Sequence, residues 1–202
     1  MEERQHVHMI ICEGTSEAVY LQELNRFLRE EEIPLVYIPI SSNGGQYSKV
    51  VKTYKTARKN NPRTPIHICL DYDIYLRNND GNWASYVNRP KSIPEFLFTH
   101  MNFEDFLTLH LEKELSEKWY CLCKSRQHFS SPMHADTYVP LFAENIIPFY
   151  TKGEMPFVLT IKHLKNLFSN LNGAHAAFPC GFAQLFQQHL KDLARADILL
   201  LS

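Results

Sequence analysis

The sequence has no excess of charge of either sign. Its 21 Lys and Arg residues nearly balance 22 Asp and Glu residues, which gives a formal net charge of -1. Such a chain has no global field that attracts nucleic acid or an anionic membrane, so any site for a polyanion must be local. The 202 residues are 45% hydrophobic and 12% aromatic, which is enough for the core of one large domain or of a domain with a small appendage.

Long apolar runs and a leader pattern are also missing. The aliphatic cluster at 198–201 is far shorter than the roughly 20 residues that span a bilayer. The first six residues carry both signs of charge and lack the basic and apolar regions of a signal peptide. The five cysteines are an odd, scattered set, which is typical of free thiols in a reducing compartment. We therefore expect a cytoplasmic protein without membrane contact.

One pair of cysteines has a second interpretation. Cys121 and Cys123, together with the nearby His128 and His134, form a weak zinc pattern, because a C-x-C pair has no matched second pair here. Free thiols are the simpler interpretation.

Strand and helix patterns alternate in the first half of the chain. The predicted strands are at 7–12, 33–40 and 65–70, and the predicted helices between them are at 15–31 and 46–60. Helices of this length between strands indicate parallel pairing through right-handed crossovers. The sequence thus predicts an α/β fold, in which helices flank a parallel sheet.

The rest of the chain has a different pattern. Residues 74–94 are polar and rich in turn residues, which predicts a mobile excursion from the sheet. A short strand at 95–99 and a helix capped by Asn102 follow. The second half is predicted to be mostly helical, with helices at 104–125, 160–171 and 181–195. We expect an α/β core at 1–112 and a helical region at 113–202, which could belong to the same domain.

Two acidic motifs directly follow predicted strands. Glu13 and Glu17 come after the first strand, and Asp71 and Asp73 come after the third. If these strands are neighbours, four carboxylates converge at the edge where open α/β sheets bind ligands. Two such charges about 4 Å apart repel by about 4 kcal/mol at an effective dielectric of 20, so the group needs a counter-charge. Oxygen ligands without His or thiolate favour Mg²⁺ or Mn²⁺.

A basic helix follows the second predicted strand. Lys49, Lys52, Lys55 and Lys59 lie in a stretch, residues 46–65, that contains no acidic residue. These lysines are candidate contacts for the phosphates of a nucleic acid.

Each of these patterns also has an ordinary structural interpretation. A glutamate at the position of Glu17 can simply complement the dipole of a helix N-terminus. Asp71 and Asp73 can close a strand with an Asx turn. A run of lysines can be the solvated face of an amphipathic helix.

The motifs resemble a known family. A strand followed by Glu-Gly-x-x-Glu, and a later strand followed by Asp-x-Asp, resemble the Toprim domain of topoisomerases, primases, OLD-type nucleases and small RNA maturases. More narrowly, residues 11–17, Asp71-Tyr72-Asp73 and Asn102-Phe103-Glu104 resemble the RloB group of Toprim proteins, which is related to the second component of the abortive-infection system AbiL. The resemblance covers residues 7–112 and implies a Toprim-like, Rossmann-like sheet.

The resemblance also implies roles for the acidic residues. Glu13 would be the catalytic acidic residue, and Asp71 and Asp73 would be the metal-binding pair. Glu17 would be the additional carboxylate that OLD-like nucleases use for a second metal, and it would share the catalytic role with Glu13.

Three further positions match the family less closely. Glu104 corresponds to the Phe-Glu of the RloB pattern, although the family's Asn-Pro-x-Phe-Glu-x-Trp is present only in part; its ordinary interpretation is a helix-start acid. OLD-like nucleases use a late lysine, for which Lys162 and Lys165 are the candidates, and either could be a solvated helix charge.

The implied activity is metal-dependent cleavage of RNA, such as tRNA, or of DNA by the toxic effector of a prokaryotic anti-phage system. An ATPase partner is expected, because the chain has no G-x-x-x-x-G-K-[ST] loop of its own. A homo-oligomer or a hetero-complex is also expected.

Two other functions stay open. The chain could be a non-catalytic Toprim scaffold that binds nucleic acid or docks an ATPase, with carboxylates that hold a structural ion. Phosphatases of the haloacid-dehalogenase type also place D-x-D after a strand, but they have a Thr two residues later, where this chain has Tyr75.

Overall fold

The computed structural model describes residues 5–74, 85–86, 88–99, 101–171 and 180–199. It has an α/β fold with a four-stranded parallel sheet in the order β2-β1-β3-β4, and its C-terminal half is mostly helical. The strands are β1 (His6–Cys12), β2 (Leu35–Ser41), β3 (Ile66–Leu70) and β4 (Phe96–Phe98). The helices are α1 (Thr15–Glu30), α2 (Tyr47–Asn60), α3 (Phe103–Thr108), α4 (Lys113–Ser125), α5 (Ala135–Asn145), α6 (Ile161–Asn170), α7 (Gly181–Asp192) and α8 (Ala196–Leu199). The predicted α/β class, with a parallel sheet and a mostly helical C-terminal half, is confirmed, whereas the Toprim-like arrangement stays a prediction.

The chain divides into two compact units. The first comprises residues 1–70 and 78–97, and the second comprises residues 71–77 and 98–202. The predicted mobile excursion at 74–94 lies largely outside the described residues. Among the described residues, no helix has the length and apolar content that a membrane crossing requires.

In the first unit, β1 is the central strand. It pairs in parallel with β2 on one side and β3 on the other, so Ile10 lies between Pro39 and His67. Pro39 is tolerated because β2 is at the edge of the sheet. Helix α1 buries a stripe of apolar side chains at helical spacing, which consists of Tyr20, Leu21, Leu24, Phe27 and Leu28.

In the second unit, the predicted helix at 104–125 is wrong: it is two helices, α3 and α4. The chain breaks there because its carbonyl groups are bound by distant side chains. Asn170 donates to the carbonyls of Leu109 and Leu111, and Asn166 donates to that of His110. Helix α5 was not predicted, because it contains Pro140 in its interior.

Two histidines of the first unit make a testable contribution to stability. His8 Nδ1 and His67 Nε2 are 3.1 Å apart on adjacent strands. Burial, and then the neighbouring His8, lower the pKa of His67 to about 4, and burial also lowers the pKa of His8. The unfolded chain, whose histidines titrate near pH 6.5, therefore binds protons that the folded chain does not.

We expect the contribution of this pair to the free energy of unfolding to be retained above pH 6.5 and to be lost as the pH falls from 6.5 through about 4. Urea denaturation across this range measures the slope. His67→Gln removes the titrating group and should reduce the slope, whereas His134→Gln, at an exposed position, should leave it unchanged. Equal slopes for wild type and His67→Gln would show that this pair does not set the pH dependence.

Candidate functional site

β1 and β3 end at the same edge of the sheet. In their parallel register Ile11 lies opposite Ile68, and Cys12 lies opposite Cys69. Glu13 follows β1 directly, and β3 ends one residue after Cys69. This is the carboxyl edge, where parallel α/β sheets bind ligands.

The loop after β2 fixes the backbone at Glu13. The Cys12 carbonyl accepts hydrogen bonds from the backbone N–H and the hydroxyl of Ser42, at 2.9 and 3.0 Å. The Glu13 carbonyl accepts from the Gly44 N–H at 2.9 Å. Gly44 has φ +126, a conformation that glycine adopts without strain. The direction in which the chain leaves β1 is therefore set by backbone contacts.

The first acidic pair lies within the first unit. Glu17 occupies the first turn of α1 and is 7% exposed, and Glu13 is half-buried. Carboxylate oxygens of the two residues lie within 4.8 Å of each other. If both are ionised, they repel by about 3 kcal/mol at an effective dielectric of 20. Burial and then the charge of Glu17 raise the pKa of the Cys12 thiol to about 12, which makes this cysteine an inert core residue.

Gly14 is not required by the geometry of this turn. Its φ of -148 is accessible to any residue. An added Cβ would lie 3.7 Å from Glu17 Oε2, an ordinary contact distance.

The second acidic motif lies in the second unit. Asp71 accepts from the Thr99 hydroxyl at 2.5 Å with one carboxylate oxygen, and from the Phe103 N–H at 3.2 Å with the other. The backbone N–H of Asp73 donates to the Met101 carbonyl at 2.9 Å. These partners are about 30 residues away, so the Asp71 carboxylate is oriented by a distant segment and not by a local Asx turn.

Glu104 is fully buried at the start of α3, which sets it apart from an ordinary helix-start acid. The Tyr150 hydroxyl donates to its Oε1 at 2.9 Å. Its Oε2 is also buried and has no hydrogen-bond partner within the part of the chain that the structure describes. An unsatisfied buried carboxylate oxygen is costly, and a cation or another donor would relieve that cost.

Tyr138 and Lys152 lie beside the acidic residues of the second unit, and neither was predicted from the sequence. Burial, followed by the charges of Glu104 and Asp71, a hydrogen-bonding interaction with the Glu104 carboxylate and, more weakly, the charge of Asp73, raises the pKa of Tyr138 above its ordinary range, so its hydroxyl stays protonated. Lys152 Nζ donates to this hydroxyl at 2.8 Å. The tyrosine and the lysine lie on α5 and in the loop after it, and no motif marks them.

The structure therefore groups the predicted residues by unit. Glu13 and Glu17 lie together in the first unit. Asp71, Asp73 and Glu104 lie in the second, where all three act on Tyr138.

The two candidate late lysines are surface residues. Lys162 forms an ion pair with Glu112 at 2.5 Å, and its side chain is 72% exposed. Lys165 is exposed on the same helix, α6. In the second unit, Lys152 is the lysine that contacts the tyrosine beside the acidic residues.

The lysines of α2 lie on the solvent side of the first unit. Lys49, Lys52, Lys55 and Lys59 are all exposed. Within the described ranges none of them forms an ion pair, whereas Arg26 on α1 is paired with two glutamates. They therefore form a locally positive surface on a chain whose net charge is close to zero.

The buried carboxylate of Asp105, in the second unit, is fully accounted for by hydrogen bonds within the protein. Asp105 accepts hydrogen bonds from the Asn102 N–H at 2.9 Å, from Trp119 Nε1 at 2.6 Å and from His128 Nε2 at 3.1 Å. His128 Nδ1 accepts from the Met133 N–H at 3.0 Å, so both ring nitrogens are used. This geometry is that of a satisfied structural network.

The weak zinc pattern is not assembled. Cys121 and His134 are exposed, whereas Cys123 and His128 are buried beside Asp105. All five cysteines are free thiols, as expected.

Comparison of the chain with protein-family models, with curated proteins and with solved structures gives no match. The resemblance to Toprim proteins therefore stays a prediction that rests on the motifs alone.

Proposed function

We propose that this chain is a metal-dependent nuclease of the Toprim class, which cleaves RNA or DNA and acts with an ATPase partner as the toxic effector of an anti-phage system. The observation that carries the proposal is the register of the sheet. β1 and β3 end side by side at the carboxyl edge, and each is followed directly by an acidic motif.

The residues proposed to hold the metal are Glu13, Glu17, Asp71 and Asp73. Their donor atoms are all carboxylate oxygens, which suit Mg²⁺ or Mn²⁺. A cation would relieve the repulsion between Glu13 and Glu17, and the hydrogen bonds to Asp71 pre-orient its carboxylate. A bound ion of this kind polarises a phosphoryl group and lowers the pKa of an attacking water.

Residues of the second unit support the same chemistry. Glu104 has a buried carboxylate oxygen that a cation would satisfy. Tyr150 holds the other oxygen and so fixes the side chain. Lys152 places a positive charge at the Tyr138 hydroxyl, where it could attract a substrate phosphate.

Cleavage assays test the proposal. The purified protein is incubated with total cellular RNA and with plasmid DNA in the presence of Mg²⁺, Mn²⁺ or EDTA. We expect cleavage of one substrate with either metal and none with EDTA. Metal-independent cleavage, or no cleavage of either substrate both alone and with the ATPase encoded beside it, would contradict the proposal. Sequencing of the fragment ends then identifies the target.

One surface feature also fits the alternative of a non-catalytic docking subunit. Phe149 is 98% exposed and has φ 63, a left-handed conformation that a bulky residue adopts only at a cost. Val158 is 63% exposed in the same unit. Exposed apolar side chains in a strained loop suit a contact with another protein, which a nuclease with an ATPase partner would also need.

A further inference from the structure

A groove runs along α2 in the first unit. Its volume is about 480 Å³, within the range of small-molecule sites. It is lined by Ile40 and Ser42 and by residues of α2 and its end, which are Lys49, Lys52, Thr53, Thr56, Ala57, Asn60 and Asn61. The α2 residues are spaced three or four apart and so share one face of the helix. From Lys49 to Asn60 this face extends about 16 Å.

The groove separates the four lysines of α2 into two pairs. Lys49 and Lys52 line it, whereas Lys55 and Lys59 do not. No carboxylate is among the lining residues. Lys49 Nζ donates to the Asn43 carbonyl at 3.3 Å, which holds this cation beside the loop after β2. One end of the groove is therefore cationic.

The other end is neutral and polar. Thr56 Oγ1 donates to the Lys52 carbonyl, so its lone pairs are left to accept a hydrogen bond from a ligand. Asn60 is exposed and presents both a donor and an acceptor. Ile40 and Ala57 supply the apolar part of the lining, and Ala57 follows Thr56 directly on α2. The cationic end suits a phosphate, and the neutral polar end, with the apolar surface of Ala57 beside it, suits the sugar or base edge of a nucleotide.

We infer that this groove binds a short segment of single-stranded nucleic acid, with phosphates at Lys49 and Lys52 and a sugar or base edge at Thr56 and Asn60. A single strand fits because its unpaired bases can enter a groove and expose their hydrogen-bonding edges, which a duplex keeps paired. This inference rests on the proposed function in one respect. The single-stranded nucleic acid in the groove would be part of the substrate that the nuclease cleaves at its acidic motifs.

The test measures binding without cleavage. Fluorescence anisotropy in EDTA measures the affinity of the protein for labelled single-stranded RNA, single-stranded DNA and duplexes of the same sequence. Lys49→Gln with Lys52→Gln is compared with Lys55→Gln with Lys59→Gln, because both double variants remove two charges from the same helix. We expect the variant with Lys49→Gln and Lys52→Gln to bind single strands at least about tenfold more weakly than wild type. Its binding should also depend less on salt, with a salt slope smaller by about 1.4. The control variant, with Lys55→Gln and Lys59→Gln, should lose much less affinity.

A neutral variant tests the polar end. Thr56→Val with Asn60→Ala should weaken single-strand binding about 3- to 10-fold, the loss expected for one or two hydrogen bonds, and should leave the salt slope unchanged. Comparison of the RNA and DNA arms then shows whether the 2′-hydroxyl is contacted.

Two results would overturn the inference. Equal losses for the two lysine pairs would show only a diffuse positive surface, and tighter binding of duplex than of single strands would exclude the single-strand groove. These outcomes are distinct from a failure of the proposed function. A protein that binds single strands through the groove but never cleaves them contradicts the nuclease proposal alone.

Discussion

Replacement of Glu13 by glutamine is expected to lower the rate of metal-dependent cleavage by about 1,000-fold, which corresponds to about 4 kcal/mol of transition-state stabilisation. The change keeps the shape of the side chain but removes a negative charge from the proposed metal site. The rate is measured under single-turnover conditions in Mg²⁺, with the RNA or DNA that the wild type cleaves.

Stability separates a catalytic role of Glu13 from a structural one. Glu13 and Glu17 carry carboxylates within 4.8 Å of each other, so neutralising one of them should not lower the melting temperature in EDTA and is expected to raise it. Glu114→Gln, at an exposed position on α4, is the matched control and should leave both rate and stability unchanged. A Glu13→Gln variant that cleaves as fast as wild type would eliminate the catalytic role of this residue.

The largest effect on stability is expected for Asp105→Ala. Asp105 is 1% exposed and accepts hydrogen bonds from the Asn102 N–H, Trp119 Nε1 and His128 Nε2. Removal of the carboxylate would leave these donors unsatisfied in the interior, at a cost of about 3–5 kcal/mol in the free energy of unfolding. Urea denaturation followed by tryptophan fluorescence measures this loss, because Trp119 is itself in the network.

The control for this prediction is Asp136→Ala, which makes the same change at an exposed position of α5. Asp105→Asn, which keeps one acceptor oxygen, should lie between wild type and Asp105→Ala. If Asp105→Ala costs less than about 1 kcal/mol, the network is not the support of the second unit that we describe.

Much of the first unit could be predicted from the sequence because its signals are local. The alternation of apolar runs with amphipathic stretches placed β1, α1, β2, α2 and β3 within one or two residues of their observed bounds. The fold of the second half depends more on contacts between residues that are far apart in the sequence. The chain breaks after α3 because Asn166 and Asn170 bind its carbonyl groups, and no residue near the break announces it.

The same distinction holds for the candidate site. Glu13 and Asp71 could be proposed as site residues because an acid directly after a buried strand is visible in the sequence. The sequence does not mark three further residues beside the site, which are Tyr138, Tyr150 and Lys152. Their role comes from the contacts of Tyr150 with Glu104 and of Lys152 with Tyr138, and Glu104 lies 34 or more residues earlier in the chain. Only the structure shows that Lys49 and Lys52 line the groove, whereas Lys55 and Lys59 do not.

The central claim is that the two acidic motifs bind one or two divalent cations, and a crystal of the wild-type protein grown with Mn²⁺ tests it most directly. An anomalous difference map recorded near the manganese edge locates the ion without reference to activity. The account predicts a peak coordinated by carboxylate oxygens of Glu13 and of the Asp71–Asp73 motif. A map without a peak at those carboxylates, or with manganese only at Asp105 and His128, would contradict it.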